Sequence, residues 1–112
     1  MSVETSVFKL LDSDKDIYSI VIHNELMSVD AELLRKEVLH GSSLDYDQVY
    51  IDTRDVRRVD LTGINEIINS YSVLKNASKK LTLVYRKDSE MESWVQKSGL
   101  DKFIGTAILP AI

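Results

Sequence analysis

Thr62 stands in Asp60-Leu61-Thr62-Gly63, and its hydroxyl is the group in this chain best placed for chemistry. Asp60 has the side chain of an N-cap. Its carboxylate can accept a hydrogen bond from an early backbone NH of a helix whose first turn is Leu61, Thr62 and Gly63. The hydroxyl then lies beside amides that have no partner within the helix, where negative charge is stabilised. A nucleophilic threonine would need a base. His23 and His40, the only two histidines, flank a helical pattern, and nothing in the sequence sets either beside Thr62. Because they flank that helix instead of sharing a face, they also form no recognisable zinc set. Gly41, Gly63, Gly99 and Gly105 are isolated, so neither a phosphate-cradling loop nor a dinucleotide fingerprint is present, and no G-x-S-x-G occurs. The chain reads as noncatalytic, with no metal and no cofactor expected.

The elements that would position Thr62 can be read in order. Val7 to Leu11 and Ile17 to His23 are β-prone runs separated by Asp12-Ser13-Asp14-Lys15-Asp16, a linker that suits an antiparallel hairpin. Ile20, Val21 and Ile22 are consecutive, as expected of a strand covered on both faces and lying inside the sheet. Ser28 reads as the cap of a helix carrying Asp30 and Glu32 in its first turn, with Ala31, Leu34 and Val38 at helical spacing and Gly41 as its end. Val49 to Ile51 is a short strand, after which Asp52, Arg54, Asp55, Arg57 and Arg58 form a polar connection.

From Leu61 to about Lys75 the spacing predicts a helix that packs Ile64, Ile67, Ile68, Tyr71 and Leu74. Asn65, Glu66, Asn69 and Ser72 fall on its other face. Leu81 to Tyr85 is a strand. Ser89 and Glu92 form a capping-box pattern before a helix that buries Met91, Trp94 and Val95, and Gly99 gives it a left-handed stop. Phe103 to Leu109 is a last short strand, kept from the sheet centre by Pro110.

The order is β-β-α-β-α-β-α-β, an α/β domain with one mixed sheet packed against helices, mostly parallel and joined by right-handed crossovers. At 112 residues and 44% hydrophobic content, residues 1–112 make one domain, able to bury roughly two thirds of the unfolded chain's surface without staples. The absence of cysteine excludes a disulfide framework, a thiolate metal site and a cysteine nucleophile, and fits a reducing cytoplasm. A net charge of -4, from 14 basic and 18 acidic residues, makes the chain a poor nucleic-acid binder. Arg54, Arg57 and Arg58 read as a solvated loop. No stretch has the pattern of a signal peptide or the length of a membrane span, so a soluble cytoplasmic monomer without membrane insertion is expected.

A strand, a short connection, then Asp60-Leu61-Thr62-Gly63 and an apolar helix face resembles the STAS domain family, the anti-sigma-factor antagonists and their relatives. The likeness covers roughly Phe8 to Leu109 and includes the succession of elements, and the junction His23-Asn24-Glu25-Leu26-Met27 matches a family signature at Leu26. The resemblance implies a STAS-like fold and a phosphorylation site at Thr62. It also implies a partner-binding surface around that helix start, which we expect to comprise Asp60, Leu61, Thr62, Gly63 and Ile64, with Asn24 and Asp52 nearby.

By the same resemblance the chain is a partner switch. The unmodified domain would bind an anti-sigma factor or serine/threonine protein kinase, phosphorylation of Thr62 would release it, and a serine phosphatase would reverse this. The alternative is a constitutive STAS subunit docked on a membrane transport complex, a reading that the apolar Leu61 keeps open.

Overall fold

The computed structural model describes residues 3–11 and 13–110. Five strands and three helices alternate as β1 (Val3–Lys9), β2 (Asp16–Leu26), α1 (Ser28–Ser42), β3 (Gln48–Val59), α2 (Leu61–Asn76), β4 (Lys80–Tyr85), α3 (Glu90–Ser98) and β5 (Gly105–Ile108), with a 3-10 turn at Leu100–Lys102. The order β-β-α-β-α-β-α-β stands as read from the sequence. In the sheet the strands lie in chain order, β1-β2-β3-β4-β5, with β1 antiparallel to β2 and every other pair parallel.

That strand order decides where the core sits. Three right-handed crossovers that all advance in one direction across the sheet put their helices on the same face. The core accordingly forms between α1, α2 and α3 and alternate sheet positions such as Ile20, Ile22, Val49, Ile51, Leu81 and Leu83. The intervening positions face away from the helices. Val21, expected to be covered on both faces of its strand, is only partly buried and lines a hollow on the uncovered face.

Several boundaries differ from the sequence reading. β1 begins at Val3 and ends at Lys9, leaving Leu10 and Leu11 outside it, and β2 continues through His23, Asn24 and Glu25 to Leu26. The hairpin between them is present, and Asp12 of its linker lies outside the described residues. The largest change is in β3. The residues read as a polar connection, Asp52 to Arg58, are strand. β4 pairs with β3 only as far as Asp52↔Val84, while β2 stays paired with it to Leu26↔Val59. Charged side chains are tolerated in this half because one edge is open and because Val56 and Val59 still point into the core. Two register shifts, between Val21 and His23 and between Asn24 and Glu25, absorb the mismatch, with Asn24 at φ 69° and buried Thr53 donating its hydroxyl to the Val84 carbonyl at 2.7 Å.

In α1 the cap position is Met27, not Ser28, and the Asp30 carboxylate accepts from the Met27 amide at 3.3 Å. Gly41 does not end the helix. It lies buried in the last turn, where a Cβ would stand 2.9 Å from Tyr18 Cε2. In α2, Ile68 is on the exposed side and Glu66 is 3% exposed, the reverse of their expected faces. Arg35 of α1 donates to Glu66 Oε1 from Nε at 3.0 Å and Nη2 at 2.8 Å, and Asn69 Nδ2 donates to Oε2 at 3.0 Å, so the carboxylate is buried with partners. At the chain's far end, Ser89 caps α3 and Gly99 ends it at φ 69°, as read from the sequence. β5 is shorter than Phe103 to Leu109. Phe103 instead packs edge-on to Tyr71, ring centroids 5.5 Å apart, and β5 is an edge strand, as Pro110 requires.

Candidate functional site

The helix start at Asp60 is assembled where β2, β3, α2 and α3 meet. Leu26 ends β2 beside Val59, and its carbonyl accepts from the Asp60 amide at 3.4 Å. Val59 is held from the other side by α3. The Glu90 carboxylate accepts from the Val59 amide, and Trp94 Nε1 donates to the Val59 carbonyl at 3.2 Å. Asp60 then caps α2 by accepting the Gly63 amide at 2.9 Å. The amides of Leu61 and Thr62 belong to the first turn, which has no acceptor within the helix.

Gly63 has a steric role that its place in a motif does not reveal. A Cβ there would lie 2.2 Å from the Leu26 carbonyl oxygen and 2.8 Å from Leu26 Cγ. The helix start can press against the end of β2 only because that position carries no side chain. Thr62 sits one residue earlier and is exposed, and Leu61 is 60% exposed. A backbone held by these contacts therefore presents Thr62 and the apolar Leu61 to solvent, next to first-turn amides that have no acceptor within the helix. Negative charge added at this position would be partly offset by the helix end, by about 0.3 to 1 kcal/mol.

The other residues expected in the surface divide. Asn24 is exposed two positions before Leu26, at the same end of the sheet. Ile64 is 2% exposed, so it anchors the helix to the core and cannot meet a partner. Asp52 is also buried, in the middle of β3 on the face away from the helices. Its carboxylate accepts Arg54 Nη2 at 2.7 Å and Nε at 3.0 Å, as well as the Arg54 amide at 3.0 Å. An acid in that position is committed to the sheet and is separated from the helix start by the rest of the strand.

His23, the last residue of the β-prone run Ile17 to His23, has two partners in the structure. Nδ1 lies 2.6 Å from Asp55 Oδ2 and Nε2 lies 2.6 Å from Glu4 Oε1. Both ring nitrogens face carboxylates, an arrangement that favours the protonated ring. The bond to Asp55, and then that to Glu4, raises its pKa above the usual 6.5. The sequence hides this arrangement because the three residues are brought together by strand pairing alone. Among the described residues no group of three or more His, Asp or Glu side chains is arranged to hold a metal ion, and no helix is long and apolar enough to cross a membrane.

No family model matches the chain, and no curated protein does. Solved structures do match in fold. An anti-sigma factor antagonist from Mycobacterium paratuberculosis superposes with a TM-score of 0.73 at 20% identity, over 94% of this chain and 85% of that one. A candidate anti-sigma factor antagonist from Thermotoga maritima gives 0.72 at 17% identity, over 91% and 84%. The Bacillus cell fate determinant SpoIIAA in its phosphorylated form gives 0.61 at 15% identity, over 93% and 91%. The chain has the SpoIIAA-like STAS fold.

Proposed function

We propose that this chain, having the fold of anti-sigma factor antagonists, is a noncatalytic partner-switching regulator controlled by phosphorylation of Thr62. The observation that carries the reading is the exposed Thr62 hydroxyl on a helix start whose backbone is pinned by Leu26, Glu90 and Trp94. Unmodified, the surface formed by Asp60, Leu61, Thr62 and Asn24 docks on an anti-sigma factor or serine/threonine protein kinase and sequesters it. Phosphorylation adds nearly two negative charges and three acceptor oxygens. Burying that group without a partner, against a surface complementary to a neutral hydroxyl, costs several kcal/mol and weakens binding by orders of magnitude. A serine phosphatase resets the switch. Gly63 and Ile64 support the surface from beneath and are not part of it.

Calorimetric titration of the unmodified, Thr62→Ala, Thr62→Glu and phosphorylated forms against the kinase tests this. The alanine form should bind nearly as the unmodified protein does, and the two charged forms much more weakly. Equal affinity for all four would reject the switch. That result would favour the second reading, a constitutive subunit of a membrane transport complex, for which the exposed Leu61 supplies an apolar contact.

A further inference from the structure

The face of the sheet that the helices leave bare is hollow, not flat. Ser6 of β1 lies opposite Ser19 of β2, Ser19 lies beside Tyr50 of β3, and Val84 of β4 lies beside Ala107 of β5. Small side chains at 6, 19 and 107 lower the floor. Phe8, set edge-on to Tyr50 with centroids 5.3 Å apart, and Leu10 and Leu109 at the two ends raise the walls. The result is a cavity of about 470 Å³, lined mainly by carbon and within the size range of small-molecule sites. Its helix-free position leaves this apolar lining open to solvent, which is unfavourable unless something covers it.

The charged part of the lining specifies what the cover can be. Its cations are His23 and Arg54, and both are engaged: His23 by Glu4 and Asp55, Arg54 by Asp52 and, through Nη1 at 3.3 Å, by the Pro110 carbonyl. Of the carboxylates that engage them, Glu4 and Asp52 line the cavity and Asp55 lies outside it. An anionic ligand would have to displace Arg54 or His23 from its carboxylate, whereas a ligand with an amine can meet the Glu4 carboxylate, whose side chain is 65% exposed and engages His23 through Oε1. We propose that the bare sheet face is a binding site for a small apolar molecule carrying a neutral or cationic amine, and that it excludes anions. This site lies away from the Thr62 helix start and does not depend on the partner-switch reading.

The test is fluorescence titration of the whole chain with N-phenylnaphthylamine, a neutral aromatic amine that brightens in apolar surroundings. Dodecylamine and dodecanoate serve as competitors below their micellar concentrations. Saturable binding at one site is expected, displaced by the amine and not by the carboxylate. Ala107→Phe, on the edge strand, should fill the hollow and weaken binding by roughly tenfold or more, and Ser19→Leu should do the same from the floor. Circular dichroism and thermal melting confirm that each variant is folded, and either folded variant suffices. Absence of saturable binding overturns the proposal, as does equal displacement by dodecanoate or unchanged binding in a folded variant. A dimer of the free protein that Ala107→Phe dissolves, without probe binding, would assign the face to a second copy and overturn it too.

Discussion

Adjacent positions at the start of α2 should respond oppositely to substitution. Gly63→Ala drives a methyl group into the Leu26 backbone, and neither the strand end nor the helix can move without breaking the contacts that fix Val59 and Asp60. We expect a loss of about 1 to 3 kcal/mol or more in thermal or urea unfolding. Thr62→Ala removes an exposed side chain and should change stability by roughly half a kcal/mol or less, leaving the melting temperature within a few degrees. A comparable loss in both variants would mean that Thr62 is structural. His23 gives a pH prediction whose sign follows from its partners. Its folded pKa is raised above 6.5 by Asp55 first and Glu4 second, so the folded state binds its proton more tightly than the unfolded chain does. The stabilisation is fully present below about pH 6.5 and is lost as pH rises through the folded pKa. Melting temperatures measured across that range should fall for the native chain and stay flatter for His23→Gln. An equal fall in both would assign the dependence to other groups.

Among the elements, α1 and α2 are joined through a polar contact that periodicity cannot find. Arg35→Ala would leave the buried Glu66 carboxylate with Asn69 alone. Because Arg35 is itself largely exposed, the cost should be about 1 to 3 kcal/mol, below that of breaking a fully buried pair. Unfolding of Arg35→Ala, Glu66→Ala and the double variant should give a clear coupling energy, and additive effects would remove this contact from the helix interface. Glu66 was legible as a helix residue and illegible as a buried one. A carboxylate counts as polar in any pattern of apolar residues, and only the approach of α1 supplies the arginine that lets it be buried. Asp52 to Arg58 were misread for a related reason. Their composition is that of a loop, yet pairing with β2 and the inward valines at 56 and 59 extend the strand through them.

For the molecule as a whole, the sheet order makes β2, β3 and β4 interior and β1 and β5 the edges. Amide hydrogen exchange should be slowest in Ile20 to Ile22, Val49 to Ile51 and Leu81 to Val84, and faster in β5. Exchange at Val49 to Ile51 as fast as in the edge strands would contradict the central place of β3. The succession of elements, the caps at Asp60 and Ser89 and the stop at Gly99 were all determined by the sequence alone. Each depends on side chains a few residues apart along the chain, where dihedral preference and local hydrogen bonding act without reference to the rest. The tertiary structure decided the rest: the bare sheet face with its hollow, the His23 bridge between β1 and β3, the burial of Asp52 and Glu66, and the need for glycine at 63 against Leu26. These depend on which strands become neighbours and on which face the crossovers run. Strand pairing joins residues far apart in the chain through backbone groups that every residue carries alike, so the sequence limits the order of the strands without fixing it.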